Sequence, residues 1–400
     1  MRHVLLVAIV AACGTSGSPS SPIGQQRADT SAAITALQAS RFADARREAD
    51  AVLARDARSS QAAAVRAIAT YQGAVQRFVA EMTAIINTGE LAKVLDHRAG
   101  RAMWTKLLDA LDAVDRDLEI VARDPGFSLE LCIACLEIDW NGRDGVDDRD
   151  RRMLELEYDG RGGELAENDA RRRPTFRFDV GDAEWGRAMV GFQRAFVNLV
   201  LAYDWRQLDK LFGAPLGDRR LVIPIADKAR VVKAHGLFVF ALERSAAERT
   251  AYLAEIDDDR EWVPNPHQKS HPIPLAVDAS LYATWDAVLG DVRDVLASKT
   301  GVSFKEIGRL LDDDLEAMAP AAFLDIGAML REPKDIVLDL SHDSDSPEDV
   351  ERVLRGLVGN GYKESLRASP LVGRLRTMIE SVDKGEETLE HKLRYLFWFN

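Results

Sequence analysis

The chain has 400 residues, with 52 Lys and Arg against 65 Asp and Glu, a formal charge of −13. So acidic a surface argues against nucleic acid and anionic lipid headgroups as partners. The length suits one large body or two smaller ones, and beyond the N-terminus no eighteen-residue apolar run offers a membrane span.

In chain order, the first segment is a secretory pattern. "MRHVLLVAIVAAC" sets one early cation, Arg2, before an apolar run from Val4 to Ala12, too short to persist as a spanning helix. Val10, Ala11, Ala12 and Cys13 follow as an aliphatic residue, two small residues and a cysteine. This segment resembles the bacterial lipobox. The resemblance implies a signal peptide over 1–12, cleavage before Cys13 and lipidation of that cysteine, whose several acyl chains make a stable membrane anchor. Gly14 stands where an inner-membrane retention signal carries Asp. The resemblance therefore implies an outer-membrane lipoprotein facing the periplasm or the cell surface. Residues 13–30 continue as a Gly/Ser/Pro tether that cannot bury a core, leaving a body over 31–400.

From Ser31 the pattern reads as helix after helix, so the expected fold class is mainly α, a single large multi-helix body. Residues 34–82 are alanine-rich with apolar residues at three- and four-residue steps. Leu37, Phe42, Ala45 and Ala49 suggest a helical hairpin of tetratricopeptide type at the start, although no copy recurs at that period. Helical patterns continue over 91–121, 128–138, 149–157, 183–203, 226–256, 278–298 and 304–311, then 321–330, 348–357, 366–382 and 387–399. Ser303 with Glu306, and Ser346 before Pro347, read as helix starts. Only 174–180, 220–225 and 335–340 alternate like strands, enough for at most a small β-hairpin.

Cys132 and Cys135, in "CIAC", are the cysteines left once Cys13 carries lipid. In an exported chain they read first as a structural disulfide, with reduced buried thiols or a redox couple as alternatives. Just downstream, "DWNGRDGVDDRD" over 139–150 resembles an EF-hand loop, and its dockerin-type variants most. Asp139, Asn141, Asp147 and Asp150 fall at loop positions 1, 3, 9 and 12, and Val146 at 8. The centre departs from the pattern: Arg143 is at 5, Asp144 at 6, and the glycine arrives late as Gly145. A second register makes Asp144 the fifth ligand and Gly145 the turn glycine, but sets Arg151 last. The resemblance implies weak Ca²⁺ binding, Kd ~10⁻⁴–10⁻³ M. The alternative is an Asx-rich connector whose carboxylates cap the helix from Arg149. Asp179 and Asp182 in "FDVGD" reach this loop only if the chain folds back, and Asp182 otherwise caps the helix from Ala183.

His267 and His271 lie among prolines rather than on a helix, and His235 sits on an apolar helical pattern, as a core histidine does. The aromatics of 395–399, "YLFWF", pack a last helix or dock a protein partner. No nucleophile elbow, zincin helix, P-loop or Rossmann fingerprint occurs. The expected function is membrane-anchored binding or scaffolding, with an unidentified ligand. A hydrolase assembled from distant helices and a helical-repeat adaptor are the alternatives.

Overall fold

A computed structural model describes residues 29–92, 94–139, 145–159, 163–211, 220–255, 260–262, 265–267, 279–311, 313–339 and 346–382. The fold is mainly α. Helices α1 (Ser31–Gln38) and α2 (Phe42–Leu53) form the expected first hairpin, turning through Ser40 at φ 56°. Ala45, Ala49, Val52 and Leu53 share one face of α2 and bury it against α3 (Ser60–Ala92). The alanines of α3 let its neighbours approach closely: Ala62, Ala63, Ala64, Ala67 and Ala69 are all buried.

Asp96 caps α4 (His97–Ala122) by accepting from the Ala99 N–H, and α4 returns along α3. Arg66, near the start of α3, clamps Asp117, near the end of α4, through two hydrogen bonds of 2.9 and 2.6 Å. Strand β1 (Leu129–Leu131) and the short α5 (Asp148–Arg152) follow, then β2 (Phe176–Phe178) and α6 (Val180–Ala202).

Helix α6 packs against α4 and against α7 (Lys228–Ala254), which follows β3 (Arg220–Ile223). A half-buried ionic seam pins the first of these interfaces. The Asp115 carboxylate accepts from Arg187 at 3.1 Å and from Arg194 at 2.7 Å, while Arg194 also reaches Asp112 at 2.6 Å. Arg187 also reaches the Phe240 ring of α7, as does Arg244, at 5.4 and 5.5 Å from its centre.

The C-terminal part comprises α8 (Ala279–Leu296), β4 (Val302–Ser303), α9 (Phe304–Leu311), α10 (Asp313–Met318) and β5 (Phe323–Leu324). After these come α11 (Ile326–Arg331), β6 (Ile336–Asp339), α12 (Pro347–Val358), β7 (Tyr362–Lys363) and α13 (Leu371–Val382). It joins the rest where α8 and α11 lie on α7, with Arg249 of α7 ion-paired to Asp286 of α8.

All three strand-like segments contain strands, but they pair across the chain rather than as a hairpin. β1 lies antiparallel to β2, β3 to β6, and β4–β5–β7 form a third small ribbon. Ser346 caps α12 ahead of Pro347, as its sequence implies.

Two expected helices are corrected. Residues 128–138 hold β1 and a 3-10 turn over Ile133–Cys135. The Leu-Glu-Leu triplet buries its two leucines and exposes the glutamate, a period of two that tertiary pairing with β2 selects over the helical pattern. Within 321–330, β5 comes first, and Asp325 starts α11 by accepting from the Ala328 N–H. Residues 149–157 give a helix that ends early, at Arg152.

Candidate functional site

Between α3, α4, α6 and the β1–β2 ribbon lies a cavity of about 320 Å³. Small side chains make the room. Ala64 and Ala67 face it from α3, Ala183 and Gly186 from α6, and larger apolar groups such as Val114, Leu118 and Phe127 close the remaining walls. At Gly186 an added Cβ would stand 3.1 Å from Leu118 Cδ1, so the two helices meet closely beside the cavity. Phe178, Trp185 and Trp262 give it an aromatic end, where the Trp262 ring lies 5.9 Å from Phe178 and 4.9 Å from Phe176. Polar groups in its wall are few. Gln193 donates to the Tyr71 hydroxyl at 2.8 Å, and burial raises the Tyr71 phenol above its ordinary value.

Asp179 and Asp182 line the same cavity, Asp179 directly after Phe178 in the chain. They form a capping box at the start of α6: Asp179 accepts from the Gly181 N–H at 2.6 Å, and Asp182 accepts from the Asp179 N–H at 2.8 Å. The Tyr252 hydroxyl, fully buried, donates to the other oxygen of Asp182 at 2.9 Å. Only glycine fits between them, because a Cβ on Gly181 would come within 2.4 Å of the Tyr252 ring. Burial pushes the Asp182 carboxyl well above the usual carboxylate range, and the Asp179 charge adds to this.

Two more carboxyls converge from distant parts of the chain. Glu255 follows the last residue of α7. Glu261, 2% exposed, sits in a short parallel bridge to Arg177 of β2. One oxygen from each of Asp179, Glu255 and Glu261 lies within 4.8 Å of the others. Glu255 is pushed up to about 9, by burial first and then by its hydrogen bond with Asp179 and the negative charges of Asp179 and Glu261. Buried Asn265 donates to Glu255 at 3.5 Å. Asp179 thus belongs both to the cavity wall and to a cluster of carboxyls close enough to repel one another when charged.

This cluster makes stability fall as pH rises. Asp182 and Glu255 carry folded-state values above their unfolded ones, so their contribution is complete below the unfolded values near 4 and is lost as pH rises, for Glu255 through about 9. The groups facing them are Asp179 on α6, Glu248 and Tyr252 on α7, Glu261, and Tyr282 on α8. From pH 5 to 9 the loss is about 2 kcal/mol, after discounting for the half-open position of Glu255. Thermal melts should show Tm declining over that range, and a flatter decline in Glu255→Gln; an unchanged slope in that variant would refute this assignment.

A second cavity, about 350 Å³, lies against α3, α4 and the end of α6, lined by Ile86, His97, Trp104 and Trp205 among others. Its charged groups are engaged locally. His97 is 2.9 Å from Asp209, and Arg101 donates to the carbonyls of Leu201 and Tyr203.

The residues singled out in the sequence are placed as follows. Cys132 and Cys135 are joined in a disulfide, Cα atoms 5.2 Å apart, closing the 3-10 turn. Asn141 and Asp144 lie outside the described residues, as do Cys13, His271 and 395–399. Asp147 and Asp150 form a reciprocal capping box on α5, and the Asp150 N–H holds the Asp147 carboxylate below its usual range. Gly145 takes φ 83°, a conformation suited to glycine. Asp139 is half-buried at the near side of this loop. Asp179 meets Glu255 and Glu261, and the cap at α6 is Asp179, with Asp182 three residues inside. His267 is exposed, its backbone N–H bonded to Asn265, and His235 is half-buried, with its ring 3.0 Å from the Leu296 carbonyl.

Glu255, Glu261, Tyr252 and the cavity itself had no local sequence signal; the D-x-x-D of "FDVGD" was the one legible part of the site. Against known protein families, curated proteins and solved structures, the chain has no significant match to any.

Proposed function

We propose that this chain is a lipid-anchored binding protein whose helical body holds a small apolar ligand between α3, α4 and α6. The observation that carries the proposal is the cavity of about 320 Å³, within the range of small-molecule sites and roughly twice the size of an engineered cavity that binds benzene. Apolar walls with a few polar groups suit an alkyl or ring body held by burial and oriented by a head group. Burial gains ~0.8 kcal/mol per methylene, set against the cost of immobilising the ligand, so a ten-carbon chain should bind measurably. Calorimetric titration with decanol tests this, and no heat of binding up to its solubility limit would refute it.

The anchor belongs to the same proposal. Cys13 carries the lipid, and residues 13–30 hold the body off an outer membrane that the lipobox resemblance implies. Cys13→Ser should move the protein from the membrane fraction to the soluble one; unchanged fractionation would refute the anchor.

A weak structural Ca²⁺ site over 139–150 is the remaining part. Gly145 at φ 83° favours the register in which it is the turn glycine and Asp144 the fifth ligand. At 10 mM Ca²⁺ and Kd of about 1 mM, binding stabilises by about 1.4 kcal/mol. Asp139 lies outside the capping box, so Asp139→Ala separates ligation from capping. Tm should rise with Ca²⁺ over chelator in the wild type and stay flat in Asp139→Ala; an equal response in both would contradict the site.

A further inference from the structure

We propose that the ligand of this cavity is a cationic amphiphile, an apolar body bearing a protonated amine, seated with its nitrogen at Asp179. The inference rests on the cavity reading above and adds the chemical class of the head group. Asp179 is the hinge between the two features, since it lines the cavity and stands within 4.8 Å of Glu255 and Glu261. Asp182, one turn further along α6, is a second carboxyl in the same wall. Among the described lining residues there is no lysine, arginine or histidine, so a ligand carboxylate or phosphate meets no countercharge there and faces two carboxyls instead.

The aromatic rings of the wall fit the same head group. Trp185, Trp262 and Phe178 line the same cavity as the carboxyls, and an ammonium is attracted both by a carboxylate and by the negative face of an aromatic ring. An uncharged head can hydrogen-bond the carboxylate but lacks the charge attraction of both. The crowding of Asp179 against Glu255 and Glu261 supplies the drive, because a cation relieves a repulsion that is otherwise relieved by holding a proton.

The test is calorimetry at pH 7.5 on the full chain with Cys13→Ser, so that no detergent competes for the cavity. Decylamine, decanol and decanoate are the probes, alike in chain length and different in charge. Decylamine should bind at least about tenfold tighter than decanol, and decanoate more weakly than either. Asp179→Asn keeps a residue that caps α6 as well as aspartate does and removes the charge. That variant should bring amine and alcohol within about threefold of each other. Decanol binding equal to decylamine in the wild type overturns the head-group assignment and leaves the apolar cavity standing. A tenfold amine preference untouched by Asp179→Asn overturns the placement at Asp179. If none of the three binds, the cavity reading falls as well.

Discussion

Ala67→Phe should weaken decanol binding at least tenfold while leaving Tm unchanged or raised by an amount equivalent to about 1 kcal/mol. Ala67 lies in the wall of α3, 1% exposed, with its side chain between the cavity and the core formed by Leu111, Val114 and Val197. Empty apolar volume costs stability at about 24 cal/mol per Å³, so a ring that enters the space recovers part of that loss. A tightly packed site would respond in the opposite way, since overpacking typically costs 1–3 kcal/mol. Calorimetry and thermal melts on the same variant separate the two cases. A loss of both stability and binding would mean that the space is smaller than described, and retained binding would mean that the ligand lies elsewhere.

The second large effect concerns the frame around the cavity. Asp115→Ala should destabilise the protein by about 3 kcal/mol, because it removes the carboxylate that accepts from both Arg187 and Arg194 at the α4–α6 interface. The arginines are only 10% and 14% exposed, so their charges are left largely out of water with fewer partners. Arg187 retains Glu184 only at 3.8 Å, and Arg194 retains Asp112. Asp44→Ala, which breaks exposed pairs with Arg41 and Arg47 on α2, should leave stability unchanged within error. Urea unfolding compares the two through their midpoints at constant slope. Equal midpoints in the two variants would show that the seam is not what pins α4 to α6.

The helical framework was legible because its signals are local. The spacing of Ala45, Ala49, Val52 and Leu53 at three- and four-residue steps, the Ser346–Pro347 start and the strand-like 335–340 each report a structure formed over a few residues. Residues 128–138 misled for the same reason. "SLELCIACLEI" carries apolar residues that suit a helix, while the partner that makes it a strand, β2, lies some 47 residues away. The acidic loop was legible as chemistry but ambiguous as geometry. Asp147 and Asp150 suit a calcium ligand set and a capping box equally, and the capping box is the part that the described residues display.

The candidate site was hidden more deeply. A cavity has no residues of its own; it is space left by Ala64, Ala67, Ala183 and Gly186, each of which reads as ordinary close helix packing. Glu255 and Glu261 stand 76 and 82 positions beyond Asp179, and only the pairing of α6 with α7, together with the bridge to Arg177, brings them to it. Carboxyls that are unremarkable one at a time become unusual when burial and mutual repulsion act on them together.

The most direct measurement is a crystal structure of the chain grown with decylamine. The expected result is an alkyl chain lying between Ala67, Val114 and Trp185, with its nitrogen within hydrogen-bonding distance of Asp179. An alkyl chain bound elsewhere, with side chains closing the space between α3, α4 and α6, would contradict a ligand-binding function for this body.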